Sequence, residues 1–241
     1  MTRNQPLAEG RGFSRLLALS IVVVTAQLLH GCAGALKQWG AEISLVSQAA
    51  DFDPAQLRAQ SVGVLHAVVG FGLEGYSLQV SRSLSKTAAS VLPHVRLVPP
   101  HTALSLINAQ EGLARQYAQM IVGYGQSGIL DRETLQRVGA ALEAKYVLLP
   151  GMATFQQSIS GRFSFFGFRL LQTRISILRL TVQLWDTQAG RIAWESSGEA
   201  TLAGEDVREF RIPFEEIADH LWRQLLATLT PASRGVEPSD S

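Results

Sequence analysis

A single cysteine, Cys32, stands in 241 residues, so the chain closes no intrachain disulfide and offers no cysteine cluster for zinc. Charge is sparse too, at 17% of residues, too little for a disordered or acidic-tail protein. Three of the 21 basic residues (Arg3, Arg11, Arg15) and one of the 20 acidic residues (Glu9) fall in the first 31 positions, which leaves the remainder close to neutral. Such a body lacks the basic face that neutralises phosphates, and broad nucleic-acid binding is excluded. No apolar run reaches the roughly 20 residues that a helix needs to cross a bilayer. The histidines His66, His94, His101 and His220 are scattered singly, none with a partner at metal-ligand spacing, so neither a metal site nor a cofactor is expected.

What the chain does have is apolar material, 46% of residues, enough for a sizeable core. It also has an export signal. Residues 1–15 are polar with three arginines, residues 16–29 (LLALSIVVVTAQLL) are nearly all apolar, and His30-Gly31-Cys32-Ala33 follows, the order of a cleaved secretory leader. Leu29-His30-Gly31-Cys32 resembles the lipobox of bacterial lipoproteins, in which the cysteine takes lipid before the leader is cut off. His30 is an unusual occupant of its place, and the bland alternative is a plain secretory signal. Several acyl chains on one residue make anchoring effectively stable. Ala33 and Gly34 lack the aspartate that retains lipoproteins at the inner membrane, so the resemblance implies the periplasmic face of the outer membrane.

Residues 32–60 read as the lipidated cysteine and a tether in which Leu36, Trp39, Ile43 and Val46 recur at helical spacing, either an amphipathic segment on lipid or a short helix docked on the body. The body, residues 61–229, opens with the buried strand Val62–Val69, a glycine-rich turn and a helix over 76–92 ended by Pro93. A short strand at Val95–Val98 precedes helical spacing at Leu104, Ile107, Tyr117 and Ile121, broken near Gly112. Gly123–Gly128 reads as a loop. Asp131 caps a helix with Leu135, Val138 and Leu142 on one face, leading into the strand Tyr146–Leu149. Residues 173–185 alternate polar and apolar, Asp186–Gly190 is turn chemistry and 191–202 resume strand composition, a β-hairpin. Pro213 opens a closing helix whose stripe is Phe214, Ile217, Leu221, Leu225 and Leu229. Residues 230–241 are polar and expected to be disordered. The class is α/β: a mixed β-sheet flanked by helices, with a C-terminal antiparallel hairpin and a closing helix.

Three stretches of this layout resemble one known domain: the strand Val62–Val69, the helix-to-strand join Gly139–Leu148, and the hairpin Val182–Trp194 with its Asp186-to-Gly190 turn between strands bearing Trp185 and Trp194. It is the domain shared by the CsgG, LpoB and TolB-N family of periplasmic proteins. The resemblance covers roughly residues 61–229 in framework positions. It implies assembly or partner binding in the envelope and carries no binding residue across.

Apparent catalytic motifs fall away on inspection. Gly70-Phe71-Gly72-Leu73-Glu74-Gly75 fits a dinucleotide fingerprint, but the next strand ends Leu97-Val98-Pro99-Pro100-His101 with no acid to hold a ribose. Ser127 lies outside a nucleophile elbow. Glu215 and Glu216 point to different sides of a helix start and suit its dipole. No enzyme is expected. The unusual segment is 158–174, SISGRFSFFGFRLLQTR, whose Arg162, Phe163, Phe165, Phe166, Phe168 and Arg169 form a candidate contact for a partner or membrane on a protruding excursion. The bland reading has these rings cover one end of the sheet. The expected function is a non-catalytic binding or assembly factor for another envelope component. The alternative is a homo-oligomeric subunit of an outer-membrane secretion channel.

If Cys32 carries the anchor, Cys32→Ser releases the protein from membranes or stalls its processing. Intact-mass analysis of membrane-extracted protein reads the outcome: a mature N-terminus elsewhere, without acyl mass, removes the anchor.

Overall fold

The computed structural model describes residues 36–165, 168–206 and 213–229; at 36, 159–165, 168–173, 205 and 206 the description is of the backbone alone. The leader 1–31, Cys32 and the tail 230–241 lie outside the described residues. In chain order the elements are β1 (Leu36–Gln48), a 3-10 turn (Pro54–Ala59), β2 (Ser61–Val64), β3 (Val68–Val69), a 3-10 turn (Glu74–Tyr76), α1 (Ser77–Val91), β4 (Arg96–Val98), α2 (Pro100–Asn108), α3 (Leu113–Ser127), α4 (Arg132–Ala141), β5 (Tyr146–Phe165), β6 (Phe168–Asp186), β7 (Arg191–Asp206) and α5 (Phe214–Ala227). Among the described residues no helix is long and apolar enough to cross a membrane.

The strands make one sheet, ordered β1-β7-β6-β5-β2-β4, with β3 beside β5. β2 pairs parallel with β4 and β5, whereas β5-β6 and β6-β7 are antiparallel, so the sheet is mixed, as the sequence indicates. Helices cover both faces of the parallel half, the arrangement that parallel strands require. On one face α1 and α5 bring Val80, Leu84, Ile217, Leu221 and Trp222 against Val62, Leu148, Leu180 and Trp194. On the other, α2, α3 and α4 bring Ile107, Leu113, Tyr117, Leu135 and Val138 against Leu65, Val147, Leu149 and Trp185.

Local chemistry explains these elements. Asp131 Oδ1 accepts the Thr134 N–H at 2.8 Å and starts α4, the capping read from sequence, and these bonds hold its carboxyl below the usual carboxylate range. Asp186 Oδ1 accepts the N–H groups of Gln188 and Ala189, each at 2.9 Å, and Gly190 takes φ 67°, closing the β6-β7 turn. Tyr117 Oη accepts the His66 N–H at 3.1 Å and ties α3 to the end of β2; burial pushes its hydroxyl pKa up to about 12.

Three expectations are corrected. Residues 36–48 form a strand and not a helix. Their apolar positions fit two periods, and Trp39, Ala41, Ile43 and Leu45 also alternate. Tertiary pairing decides such ambiguity. Gly40 lies beside Thr201, Ile43 beside Gly198, and Ala49 N–H bonds Ala193 at 2.9 Å, an antiparallel order along β7. Trp39 stacks on His220 with centroids 4.2 Å apart, and Lys37 pairs with Glu216 at 2.5 Å. Residues 123–127, read as a loop, continue α3 despite two glycines at about 1 kcal/mol each, because Tyr124 packs edge-on against Trp185. The helix stops at Gly128 in the left-handed region. Residues 158–174, read as an excursion, lie for the most part within β5 and β6, whose 20 and 19 residues make one long hairpin.

Gly139 sits in α4 where it meets the β6-β7 turn. A methyl group there would overlap the Thr187 side chain, which is 2% exposed and bonds the carbonyls of Ala144 and Lys145. Gly139→Ala is therefore expected to lower stability by about 1–3 kcal/mol through overpacking, reversing the gain of about 1 kcal/mol that helix propensity alone gives. Urea unfolding measures the sign.

Candidate interaction surface

A strand points alternate side chains to opposite faces, so the register of β5, β6 and β7 fixes which residues share a face. The rows Leu148-Leu184-Trp194, Met152-Leu180-Gly198 and Phe155-Leu178-Ala200 face α1 and α5. The rows between them face the other way: Leu149-Gln183-Glu195, Gly151-Thr181-Ser197, Thr154-Arg179-Glu199, Gln156-Ile177-Thr201 and Ser158-Ile175-Ala203. Only Leu149, of the first row, belongs to the core under α2–α4. From Gly151-Thr181-Ser197 outward none of these residues belongs to either core, Ile175 and Ile177 included. The result, across β5, β6 and β7, is a sheet face on which Ile175, Ile177 and Ala203 lie among small hydroxyls, amides and one ion pair, Arg179 to Glu199 at 2.5 Å.

Two bulges keep this division. Ala153 is an extra residue in β5, between Met152 and Thr154, and Ala193 is one in β7, where Leu184 opposes Trp194 but Trp185 opposes Ile192. The second sends the two tryptophans to different cores, Trp194 beneath α5 and Trp185 beneath α3.

A hydrogen-bond chain marks the border between covered and uncovered sheet. Gln183 Oε1 accepts from Tyr124 Oη at 2.8 Å and from Trp185 Nε1 at 2.9 Å, while its Nε2 donates to Glu195 Oε1 at 3.0 Å. Both lone pairs of one amide oxygen are thus used, which fixes the amide's orientation. Burial pushes the Tyr124 hydroxyl pKa up, and the Glu195 charge adds to this.

The segment singled out in the sequence occupies the far end of the β5-β6 hairpin. Its backbone register pairs Phe163 with Leu171, Ser164 with Arg169 and Phe165 with Phe168. Phe166 lies outside the described residues, as do the side chains of Arg162, Phe163, Phe165, Phe168 and Arg169, and Cys32 lies outside them altogether. The other apparent motifs have structural employment. Gly70 N–H bonds Met152 O at 2.8 Å and a 3-10 turn separates the glycines from α1, so no helix start faces a phosphate position. Ser127 Oγ donates to Gly123 O at 2.8 Å and accepts from Ile129 N–H. His66 Nδ1 is buried without a partner, and burial pulls its pKa down. Among the described residues no three His, Cys, Asp or Glu side chains gather as metal ligands. Sequence reading missed the uncovered face, although the alternation in 173–185 was its signal; it also missed the Gln183 chain, for which no local pattern exists.

The class defined is an α/β domain with a mixed sheet that continues past its helices. No family model matches the chain, and no curated protein matches it in sequence. Solved structures with a similar arrangement include the PelC dodecamer from Paraburkholderia phytofirmans, 14% identical over 80% of this chain and 97% of that one with TM-score 0.43. Others are lipoprotein GNA1162 from Neisseria meningitidis (12%, 70% and 94%, TM-score 0.37) and E. coli LpoB (15%, 61% and 62%, TM-score 0.34). These overlaps are loose, and the function proposed below rests on this chain's own surfaces.

Gln183→Leu removes the acceptor shared by Tyr124 and Trp185. The indole N–H is then left unsatisfied in a residue only 5% exposed, at an expected cost of about 1–3 kcal/mol. Chemical denaturation of the variant measures it; an unchanged midpoint makes the chain of bonds incidental.

Proposed function

We propose that this chain is a membrane-anchored periplasmic lipoprotein that binds or helps assemble another envelope component without catalysing a reaction. The leader and Leu29-His30-Gly31-Cys32 support the address. The single observation that carries the role is the uncovered face of β5, β6 and β7. A flat array of Gln156, Ser158, Arg179, Thr181, Ser197 and Thr201 holds no nucleophile with a base beside it and no electrophilic centre. It does offer hydrogen-bond donors and acceptors at fixed spacings, which suits a partner surface. A second reading, the subunit of an oligomeric outer-membrane channel, draws support from hairpin length. Strands of 20 and 19 residues exceed the ~9–11 that span a bilayer. Arg162, Arg169 and Arg174 in the same arms weigh against a lipid-facing strand, since a mid-membrane arginine costs about 2–4 kcal/mol.

A photoreactive residue at Gln156 or Thr201, introduced in the full chain and activated in intact cells, is expected to capture one distinct envelope protein. The same group at Lys86 on α1 is expected to capture none. Equal capture at all three positions defeats the surface assignment, and capture only of further copies of this chain favours the channel. Replacing Phe165 and Phe166 by serine is expected to weaken association while leaving the melting temperature nearly unchanged.

A further inference from the structure

Between β3 and α1 the chain makes a tight turn fixed at three points. Gly70 N–H bonds Met152 O at 2.8 Å, Leu73 N–H bonds Gly70 O at 3.1 Å, and Gly72 N–H bonds Glu74 Oε1 at 3.1 Å with Gly72 at φ 78°. Leu73 packs against the core. At the apex Phe71 is wholly exposed, with a relative accessibility of 103%. Single exposed apolar side chains are ordinary on protein surfaces, but this ring is held in water by a turn that cannot fold it away, a shape that a second molecule could bury as an anchor.

The receptor for such a ring lies at the opposite end of the same helix. α1 starts next to the turn and ends at Val91, where Pro54, Leu57, Val91, Leu92, Val95 and Leu229 line an apolar pocket of about 110 Å³. This is the scale of the ~150 Å³ cavity known to accept benzene, enough to seat part of a phenyl ring. The 15 residues of α1 hold knob and pocket about 22 Å apart at ~1.5 Å per residue. No chain can therefore fill its own pocket with its own Phe71. Charge is complementary as well. Glu74 sits beside the knob, whereas Arg58 edges the pocket. Of the neighbouring acids, Asp51 pairs with Arg191, and Asp53 caps the 3-10 turn through Ala55 N–H.

We propose that Phe71 of one copy seats in the pocket at the far end of α1 of a second copy, with Glu74 meeting Arg58. The contact is head to tail and leaves a free knob and a free pocket on every pair, so it repeats into a ring or a filament. It uses neither the uncovered sheet face nor the far end of the β5-β6 hairpin, so partner binding and self-assembly are separable.

The test uses the full chain in intact cells with Phe71→Cys and Ala55→Cys, Ala55 being an exposed residue of the pocket lining, and the unsubstituted chain as control for Cys32. Co-expression of the two single variants is expected to give a disulfide-linked pair, and the double variant a ladder. Phe71→Ser, at a position without core contacts, is expected to reduce the sedimenting mass of detergent-extracted protein to that of one chain, with its melting curve unchanged. Absence of a disulfide between the co-expressed variants overturns the proposal. So does Phe71→Ser protein that keeps its mass but loses binding to phospholipid vesicles, which assigns the ring to membrane contact. A cysteine at residue 55 that stays shielded from maleimide in the Phe71→Ser protein also overturns it, and gives the pocket to the chain's own residues 230–241.

Discussion

The two-residue period of the β-strand is the constraint on which the rest of this structure depends. Along β5, β6 and β7 it sorts neighbouring residues to opposite sides, so one sheet presents an apolar surface to α1 and α5 and a polar surface behind it. A slip of one residue would bury Arg179 and Glu199 and expose Leu178 and Leu180, which register in such a sheet strongly opposes. The Ala153 and Ala193 bulges are consistent with this. Each adds one residue to one strand, and the second places Trp194 and Trp185 on opposite faces.

Helical cover is uneven for a topological reason. The parallel strands β2, β4 and β5 are joined by crossovers, and each crossover lays helices on the sheet. From β5 onward the connections are hairpins, which need only a turn and supply no helix. α5 returns to cover one face, with Phe214, Ile217, Leu221 and Trp222 buried in the core. On the other face α3 and α4 reach Leu149, Trp185 and Ile192; beyond the Gly151-Thr181-Ser197 row no described residue of either core packs on it, and there Ile175, Ile177 and Ala203 lie among Ser, Thr, Gln, Arg and Glu. The open face follows from the order of connections.

Much of this was legible in the chain itself. Asp131 as a cap, the Asp186–Gly190 turn and the stripe of α5 are local signals, and each produced the element it announces. Trp185 and Trp194 were placed on one hairpin from spacing alone, but their separation into two cores depends on the Ala193 bulge, which no pattern marks. Residues 36–48 satisfied helical and strand periods together, and only the edge of β7 and the Trp39–His220 stack chose between them. The Tyr124–Gln183–Glu195 chain joins residues up to 71 positions apart in number, so it exists only once the fold does. The proposed surfaces belong to that last kind: Phe71 and the pocket proposed for it are unremarkable in sequence, and α1 sets the distance between them.

The proposed lipid anchor changes what such surfaces must achieve. A flat face of hydroxyls and amides exchanges hydrogen bonds with water for hydrogen bonds with a partner, each at a net ~0.5–1.5 kcal/mol, and it lacks the buried aromatic anchors that give tight association in solution. Tethering chain and partner to one membrane would supply what the contact lacks, because confinement raises the effective concentration of one for the other without adding a contact. The proposed seating of a second copy through Phe71 would multiply the effect, since every added chain would present another open face in a fixed relation to the first. Weak faces suffice when anchoring and assembly bring several of them to bear together. Under the proposed role, that division of labour is the physical reason the outer part of this sheet face needs no aromatic anchor.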